Sequence, residues 1–358
     1  MKILFLTLGP EIIGAARVRV YQYLPHLRRA GWECRVLPRS SGIQLKLRLP
    51  ANGLLARIVR FMWEADRLYR FWQTWRFERL GGWADVLFIQ RVLLPPSTQM
   101  RLRRSGKPIV FDFDDALYAD RQNYDAIRFD HQLRCSDLVV LTNEYTQQYA
   151  EHMGCRTLRI TGPIDIDRYT PSTRSLNGYV TLGWIGSETT VPHLMHIAGA
   201  LARVGAQRPN VRLKVVGAGH VPDMGLPQVF VPWNLKDEVH HLQSFDIGLM
   251  PLPDDEWTRG KGGYKLLQYM ACGLPCLASP VGINTTLVAE GENGFLARTE
   301  EEWVEKLLRL IDQPELRTGM GQAGRRRAEA EYSFRAATPK LSEALKQIIV
   351  EKQREQIR

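Results

Sequence analysis

The chain has 358 residues, 44% apolar and 24% charged, with 48 basic and 38 acidic side chains and a formal charge of +10. This composition excludes a disordered chain and exceeds what one ordinary core holds, so two domains are expected. The positive excess favours anionic partners without choosing among nucleic acid, phosphorylated metabolites and an anionic bilayer, while five scattered cysteines argue against a disulfide framework and for a reducing cytosol.

The opening MKILFLTLGP reads as a first buried strand, because its apolar run is short and Gly9-Pro10-Glu11 ends it without a cleavage pattern. No apolar run approaches the length of a membrane-spanning helix. Further apolar runs follow at Cys34 to Leu37, Val86 to Ile89, Ile109 to Phe113, Leu138 to Leu141 and Leu158 to Ile160, each separated by a helical stretch. Continuous apolar runs suit strands buried on both faces of a parallel sheet.

One stretch exceeds a minimal sheet domain. From Leu54 to Arg79, Leu54, Ile58, Phe61, Ala65, Leu68, Trp72 and Trp75 recur at spacings of four and three, an apolar helical stripe with Arg57, Arg60, Arg67, Arg70 and Arg76 largely off it. Either the stripe packs on the first domain's sheet, or it docks on a membrane interface or a partner. At an anionic leaflet each surface arginine would add about 1 kcal/mol.

Residues 171–178 are polar and turn-rich and read as a linker between a domain of residues 1–170 and one of 179–338. The strand pattern restarts at Tyr179 to Ile185 and continues at Val211 to Val216, Val229 to Val231, Ile247 to Met250, Cys276 to Ala278 and Phe295 to Ala297. The fold class expected is α/β, two doubly wound parallel-sheet domains facing a central cleft where ligands bind. Residues 339–358 read as a charged helix that packs back across the junction.

The densest chemistry lies between Asp254 and Gly294, where a basic, glycine-rich loop runs into a short apolar helix. The opening amides of such a helix are unpaired donors in a positive field and suit a phosphate. Lys261 and Lys265 share a helical face if the helix reaches back that far. A solvated loop before an ordinary core helix is the alternative. The sequence GKGGYK is not a P-loop, lacking its glycine spacing and the hydroxyl residue after lysine. Cys272 and Cys276 flank Gly-Leu-Pro and read as small buried residues.

An ordered set of segments carries a family likeness: GWIGS at Gly183 to Ser187, VVGAG at Val215 to Gly219, FDIGLMPLP at Phe245 to Pro253, GGYKLLQYMACGLPCLAS at Gly262 to Ser279, and ENGFLA at Glu292 to Ala297. With these the second half resembles the retaining nucleotide-sugar glycosyltransferases of GT-B architecture, family four (glycosyl transferases group 1). The first half is similar more loosely, through MKILFLT, the loop at Gly14-Ala15-Ala16-Arg17, and KPIVFDFDDALY at Lys107 to Tyr118. The resemblance implies Rossmann-like domains, a nucleoside diphosphate sugar held mainly by the second and a saccharide or lipid-linked acceptor mainly by the first. It also implies transfer with retention in cell-envelope or exopolysaccharide synthesis, and no cofactor or metal. The protein would be cytoplasmic, peripheral on the inner face of the plasma membrane through residues 52–80, and would not bind nucleic acid.

Breaking a sugar–phosphate bond pushes charge onto the diphosphate, and preorganised donors aimed at that charge lower the barrier. The residues expected to bind the donor are Gly14, Arg17, Ser187, Thr190, Arg259, Lys261, Gly262, Gly263, Tyr264 and Gln268. Lysine and arginine would contribute roughly 1.5–3 kcal/mol per charge-assisted bond. Ser187, Thr189 and Thr190 can equally cap the helix that follows them. Lys265 is assigned to catalysis with Asp114 and Asp115, which would orient the acceptor hydroxyl or stabilise the sugar cation; Asp112, Asp114 and Asp115 also match the oxygen ligands of a hard cation, or a capped turn. Arg17 and Arg19 would face the cleft or solvent.

The chain departs from the family where two glutamates eight positions apart are usual, having Gly260 and Gln268, and Ser187 stands where an arginine is common. Asp254, Asp255 or Glu256 would then take over the contact with the donor sugar. A sugar-nucleotide epimerase or hydrolase, or a donor-binding homologue without catalysis, are the alternatives.

Overall fold

The computed structural model describes residues 1–42, 54–120, 125–172 and 178–357, with the side chains of 54–56 and 357 excepted. Leu54's side chain, the start of the expected 52–80 insertion and most of the expected 171–178 linker lie outside the described residues. The chain forms two compact units, Met1–Thr161 with Ala337–Arg358, and Gly162–Ala336.

The first unit holds a six-stranded parallel sheet of β1 (Lys2–Thr7), β2 (Glu33–Pro38), β3 (Val86–Gln90), β4 (Ile109–Asp112), β5 (Leu138–Leu141) and β6 (Thr157–Arg159), in the order β2-β1-β3-β4-β5-β6. Its central strands are apolar at nearly every position because helices cover both faces, so the core is continuous from Ile3 through Phe88 and Phe111 to Val139. The strand order reverses between β1 and β3, which opens the crevice typical of doubly wound sheets beyond their carboxyl ends.

The second unit repeats the plan with β7 (Val180–Ile185), β8 (Val211–Val216), β9 (Gln228–Val231), β10 (Ile247–Met250), β11 (Cys276–Ala278) and β12 (Gly294–Leu296), ordered β12-β11-β10-β7-β8-β9 and parallel throughout. Here the reversal falls between β7 and β10. Trp184 on β7 and Tyr269 beneath it are fully buried, and all five cysteines are free, with Cys272 and Cys276 buried.

Three expectations change. The unit boundary falls at Thr161/Gly162, ahead of residues 171–178, because Ile164, Ile166 and Tyr169 are buried in the second unit's core. The last helix runs Phe334–Ile357, starting before Pro339. Pro339 forfeits the amide that would reach back to Arg335 and crowds that carbonyl with its ring, yet it lies near the start of the helix, where Phe334, 2% exposed, is anchored by packing. From Ala337 onward this helix belongs to the first unit, where Ser342 accepts from Trp32 Nε1 (2.8 Å) and Lys352 pairs with Asp137 (2.9 Å).

The third change concerns the helix Leu54–Leu80. Its inner face is Val59, Asp66, Gln73 and Phe77, all buried. Asp66 fastens it to the end of β2, accepting from the Ser41 amide (2.8 Å), Ser41 Oγ (2.6 Å) and Arg70 Nε (2.7 Å). The apolar stripe faces outward: Phe61 and Leu68 are more than 70% exposed, as is Phe71 beside them, and Ile58, Trp72 and Trp75 are about half exposed. Packing of that stripe on the sheet is therefore overturned, because a satisfied carboxylate took the inward side.

Candidate functional site

In the second unit β7 ends at Ile185 and the chain turns through Gly186 and Ser187 into the short helical turns Glu188–Thr190 and Val191–Met195. Gly186 is required, since a Cβ there would fall 2.4 Å from the Trp184 ring and 2.6 Å from Thr190 Oγ1. Ser187 Oγ lies 2.8 Å from Thr189 Oγ1, and Thr190 Oγ1 donates to the Ser187 carbonyl (2.9 Å). The hydroxyls thus stabilise the turn and remain at the exposed end of β7. Glu188 closes the loop by accepting from the Gly219 amide beyond β8 (3.2 Å).

Across the sheet's reversal, β10 leads through Pro251 to the helix Glu256–Arg259, whose N-terminus Asp255 caps reciprocally with Thr258. Gly260, Lys261, Gly262 and Gly263 then bring the chain to the helix Tyr264–Ala271. Gly263 has φ of +65°, and a Cβ on it would meet Leu287 and Ile283 at 2.6–2.7 Å, so only glycine allows this entry. The opening amides of a helix lie outside its own ladder of bonds to carbonyls one turn back, and here they fall at Tyr264 and Lys265.

Lys265 rises from this helix onto the indole of Trp184, its Nζ 4.5 Å from the ring centroid. Among the described residues its ammonium has no hydrogen-bond or ion-pair partner. Burial, reinforced by the charge of Lys261, brings its pKa down to about 7. His193, on the turn after Thr190, is pushed down to about 4 by burial and by Lys261 and Lys265. Lys261 lies 5.0 Å over the Trp257 ring. Two lysines, a suppressed histidine, hydroxyls and helix amides thus surround the exposed end of β7, with positive charge in excess.

Other expected donor contacts are committed elsewhere. Arg259 pairs with Asp254 (2.6 Å) and Asp255 is a cap, which leaves Glu256, of the three exposed acids, the one without such an engagement among the described residues. Gln268, 4% exposed, turns its amide nitrogen to Glu238 and Tyr169. Glu238 is a buried acceptor for Gln268, Tyr169 Oη (2.9 Å) and Trp233 Nε1 (3.1 Å), so Gln268 belongs to an internal network and its NH2 is not offered to a ribose.

In the first unit the expected cations are not solvent-facing. Arg17, near Gly14, is 6% exposed and its guanidinium lies 3.4 Å from the Ile12 carbonyl. Arg19 is buried in a bidentate pair with Asp112 (2.5 and 3.1 Å) and bonds the Ile160 carbonyl (2.9 Å). Asp112 is therefore separated from its neighbours, fixing the loop after β1 to β4 and β6. Asp114 and Asp115 stay together, half-buried, and both accept from Arg91 (2.9 and 3.2 Å). Arg91, at φ +53°, is the one non-glycine with positive φ among the described residues. That geometry costs about 1–2 kcal/mol and is held by its two carboxylates and by its amide on the Asp112 carbonyl (2.8 Å). No group of three metal-ligating side chains occurs among the described residues.

Sequence reasoning missed Arg91, His193 and Glu238. Arg91 and His193 follow strand ends at the sheets' reversal, a placement that was readable, but their partners are distant in sequence. Glu238 gave no signal.

Residues 180–313 match the family described as Glycosyl transferases group 1. A GDP-mannose-dependent monoacylated alpha-(1-6)-phosphatidylinositol monomannoside mannosyltransferase of Corynebacterium glutamicum is 28% identical over 216 residues, 51% of this chain and 54% of that protein. A D-inositol 3-phosphate glycosyltransferase of Geodermatophilus obscurus is 25% identical over 230 residues, covering 55% and 49% respectively. The chain thus spans about half the length of these relatives. Among solved structures, Anabaena HepE in complex with UDP aligns at TM-score 0.69 over 97% of this chain and 100% of that one at 15% identity. Sucrose-phosphate synthase of Thermosynechococcus elongatus aligns at 0.71 over 98% and 100% at 16% identity. The solved structures share a GT-B fold of two Rossmann-like units with this chain, and the segment similar to the glycosyl transferases group 1 family contains the lysine-rich helix entry.

Proposed function

We propose that the protein transfers a glycosyl group from a nucleoside diphosphate sugar to a hydroxyl of a saccharide or lipid-linked acceptor, with retention, in assembly of a cell-envelope or exopolysaccharide glycan. The observation that carries this reading is Lys265, a half-buried lysine with no counter-ion among the described residues, set on Trp184 beside Lys261 at the reversal of the second sheet. Such a site is short of an anion, and a diphosphate supplies one. The family match and the names of relatives acting with GDP-mannose or bound to UDP agree with that donor class.

In the reaction the bond from the sugar's anomeric carbon to the diphosphate oxygen breaks, and its electron pair stays on the diphosphate. The acceptor oxygen bonds to the anomeric carbon and loses its proton to a phosphate oxygen or a carboxylate. Lys261 and Lys265 stabilise the leaving charge, Ser187, Thr190 and the amides at Gly262, Gly263 and Tyr264 surround the phosphates, and Asp114 and Asp115 serve the acceptor. No metal or cofactor takes part.

A donor-binding protein without turnover is the second reading, favoured by Gly260, which has no side chain, and by Gln268, which is engaged with Glu238. Incubation with UDP- and GDP-sugars across an acceptor panel separates the two. Transfer predicts acceptor-dependent release of nucleoside diphosphate, and binding alone predicts none. Lys265→Ala is expected to weaken nucleoside diphosphate binding by about 10–100-fold with the fold intact. Unchanged affinity in that variant would remove the phosphate assignment.

A further inference from the structure

The first unit contains a second candidate binding region, away from the strand ends that carry Arg91 and Asp114. A cavity of about 630 Å³ lies between the helix Leu54–Leu80, the helix Pro96–Arg104 and the end of β2. Its lining includes Arg39, Trp63, Arg67, Phe71, Trp75 and Arg101. Two acids, Glu64 and Glu78, are also present, but each is matched to its own arginine, Arg67 (3.8 Å) and Arg101 (2.8 Å). Arg39 has no such match. Its Nε is buried without a hydrogen-bond partner, and no carboxylate bonds its guanidinium among the described residues. Burial and the nearby charges of Arg70 and Arg128, opposed by the more weakly acting charge of Asp66, hold its pKa below that of an ordinary arginine.

The cavity opens beside the outward apolar stripe. Phe61 and Phe71 are each 74% exposed and Leu68 72%, far beyond what scattered surface apolar residues require explaining. The two exposed tryptophans carry guanidinium groups on their rings, Arg76 over Trp72 (4.6 Å) and Arg79 over Trp75 (5.3 Å). The helix has six arginines against three acids, a net +3. An apolar strip edged by tryptophan and arginine is the chemistry of a helix lying in a lipid interface, where apolar groups enter the acyl boundary and cations meet phosphates.

We propose that this face docks on an anionic lipid surface and that the cavity seats a phosphate-bearing lipid headgroup between Arg39, Arg67 and Arg101. Charge complementarity selects the lipid: the cavity presents an unmatched arginine, and the surrounding face is apolar and cationic together. The inference deepens the proposed reading by giving a lipid-linked acceptor a surface to be presented on. It is tested by binding alone, so it can fail while transfer succeeds, and the converse.

The full chain is sedimented with vesicles of phosphatidylcholine alone and of phosphatidylcholine mixed with phosphatidylglycerol, at low and high salt. Binding to the mixed vesicles, weakened by salt, is expected. Phe61→Ser with Phe71→Ser should reduce it at least about tenfold, and these exposed positions leave the fold unchanged. Arg39→Gln should reduce binding to the mixed vesicles about fivefold and leave the neutral ones unaffected. No binding to mixed vesicles at low salt, or binding undiminished by the double serine variant, overturns the docking face. Full binding by Arg39→Gln, or soluble glycerol phosphate held as tightly as the vesicle, overturns the headgroup site. A dimer of the free chain that the double serine variant dissolves, without vesicle binding, assigns the face to a second copy instead.

Discussion

Lys265 concentrates the physics of the second unit. An ammonium partly withdrawn from water with no counter-ion among the described residues is penalised, and here the indole of Trp184 offsets the penalty only in part. Its pKa near 7 lies below the unfolded value of about 10.4. Between those values the unfolded chain holds a proton that the folded chain has released, so stability from this group rises as pH climbs through that window and the penalty is full below it. Lys265→Met should therefore be more stable than the native chain at about pH 6, by roughly 1–3 kcal/mol, with the gain fading towards about pH 10. Urea unfolding at several pH values measures this, and a gain independent of pH would mean that the lysine is not desolvated. The same residue should bind nucleoside diphosphate worse once deprotonated, so one property serves both observations.

At the scale of elements, the site depends on how a helix begins. Gly263 lets the chain enter Tyr264–Ala271 with left-handed φ and with the backbone against Leu287 and Ile283. Gly263→Ala adds a strained φ and a close contact, with an expected loss of about 1–3 kcal/mol. Because the displaced element carries Lys265, nucleoside diphosphate affinity should fall as well. Calorimetry beside thermal melting tests the pair, and a stable variant with native affinity would show that the entry geometry does not matter. The helix Leu54–Leu80 makes the complementary point, since a helix takes its orientation from its best-satisfied inward group. Asp66, with hydrogen bonds from Ser41 and Arg70, outcompeted a whole apolar stripe.

For the whole molecule, the last helix is the element that departs from sequence order. It begins in the second unit at Phe334, and from Ala337 belongs to the first, with Leu345 fully buried there. Leu345→Ala is expected to cost about 2–5 kcal/mol. Hydrogen exchange should show the loss of protection concentrated in Met1–Thr161, with Gly162–Ala336 little affected. Equal losses in both units would mean that they unfold as one.

The amino-acid sequence by itself determined the twelve strands of the described residues, the parallel α/β class and the position of the lysine-rich helix entry, because each is a local pattern: apolar runs, glycine turns, adjacent cations. It also announced the amphipathic helix, though not which way it faces. Tertiary structure decided the rest. Arg19 found Asp112, Arg91 found Asp114 and Asp115, and Gln268 found Glu238 across separations that no local pattern records. A buried charged or polar group must be matched wherever its partner lies in the chain, so whether it becomes a ligand contact or an internal brace depends on the neighbours that folding brings to it.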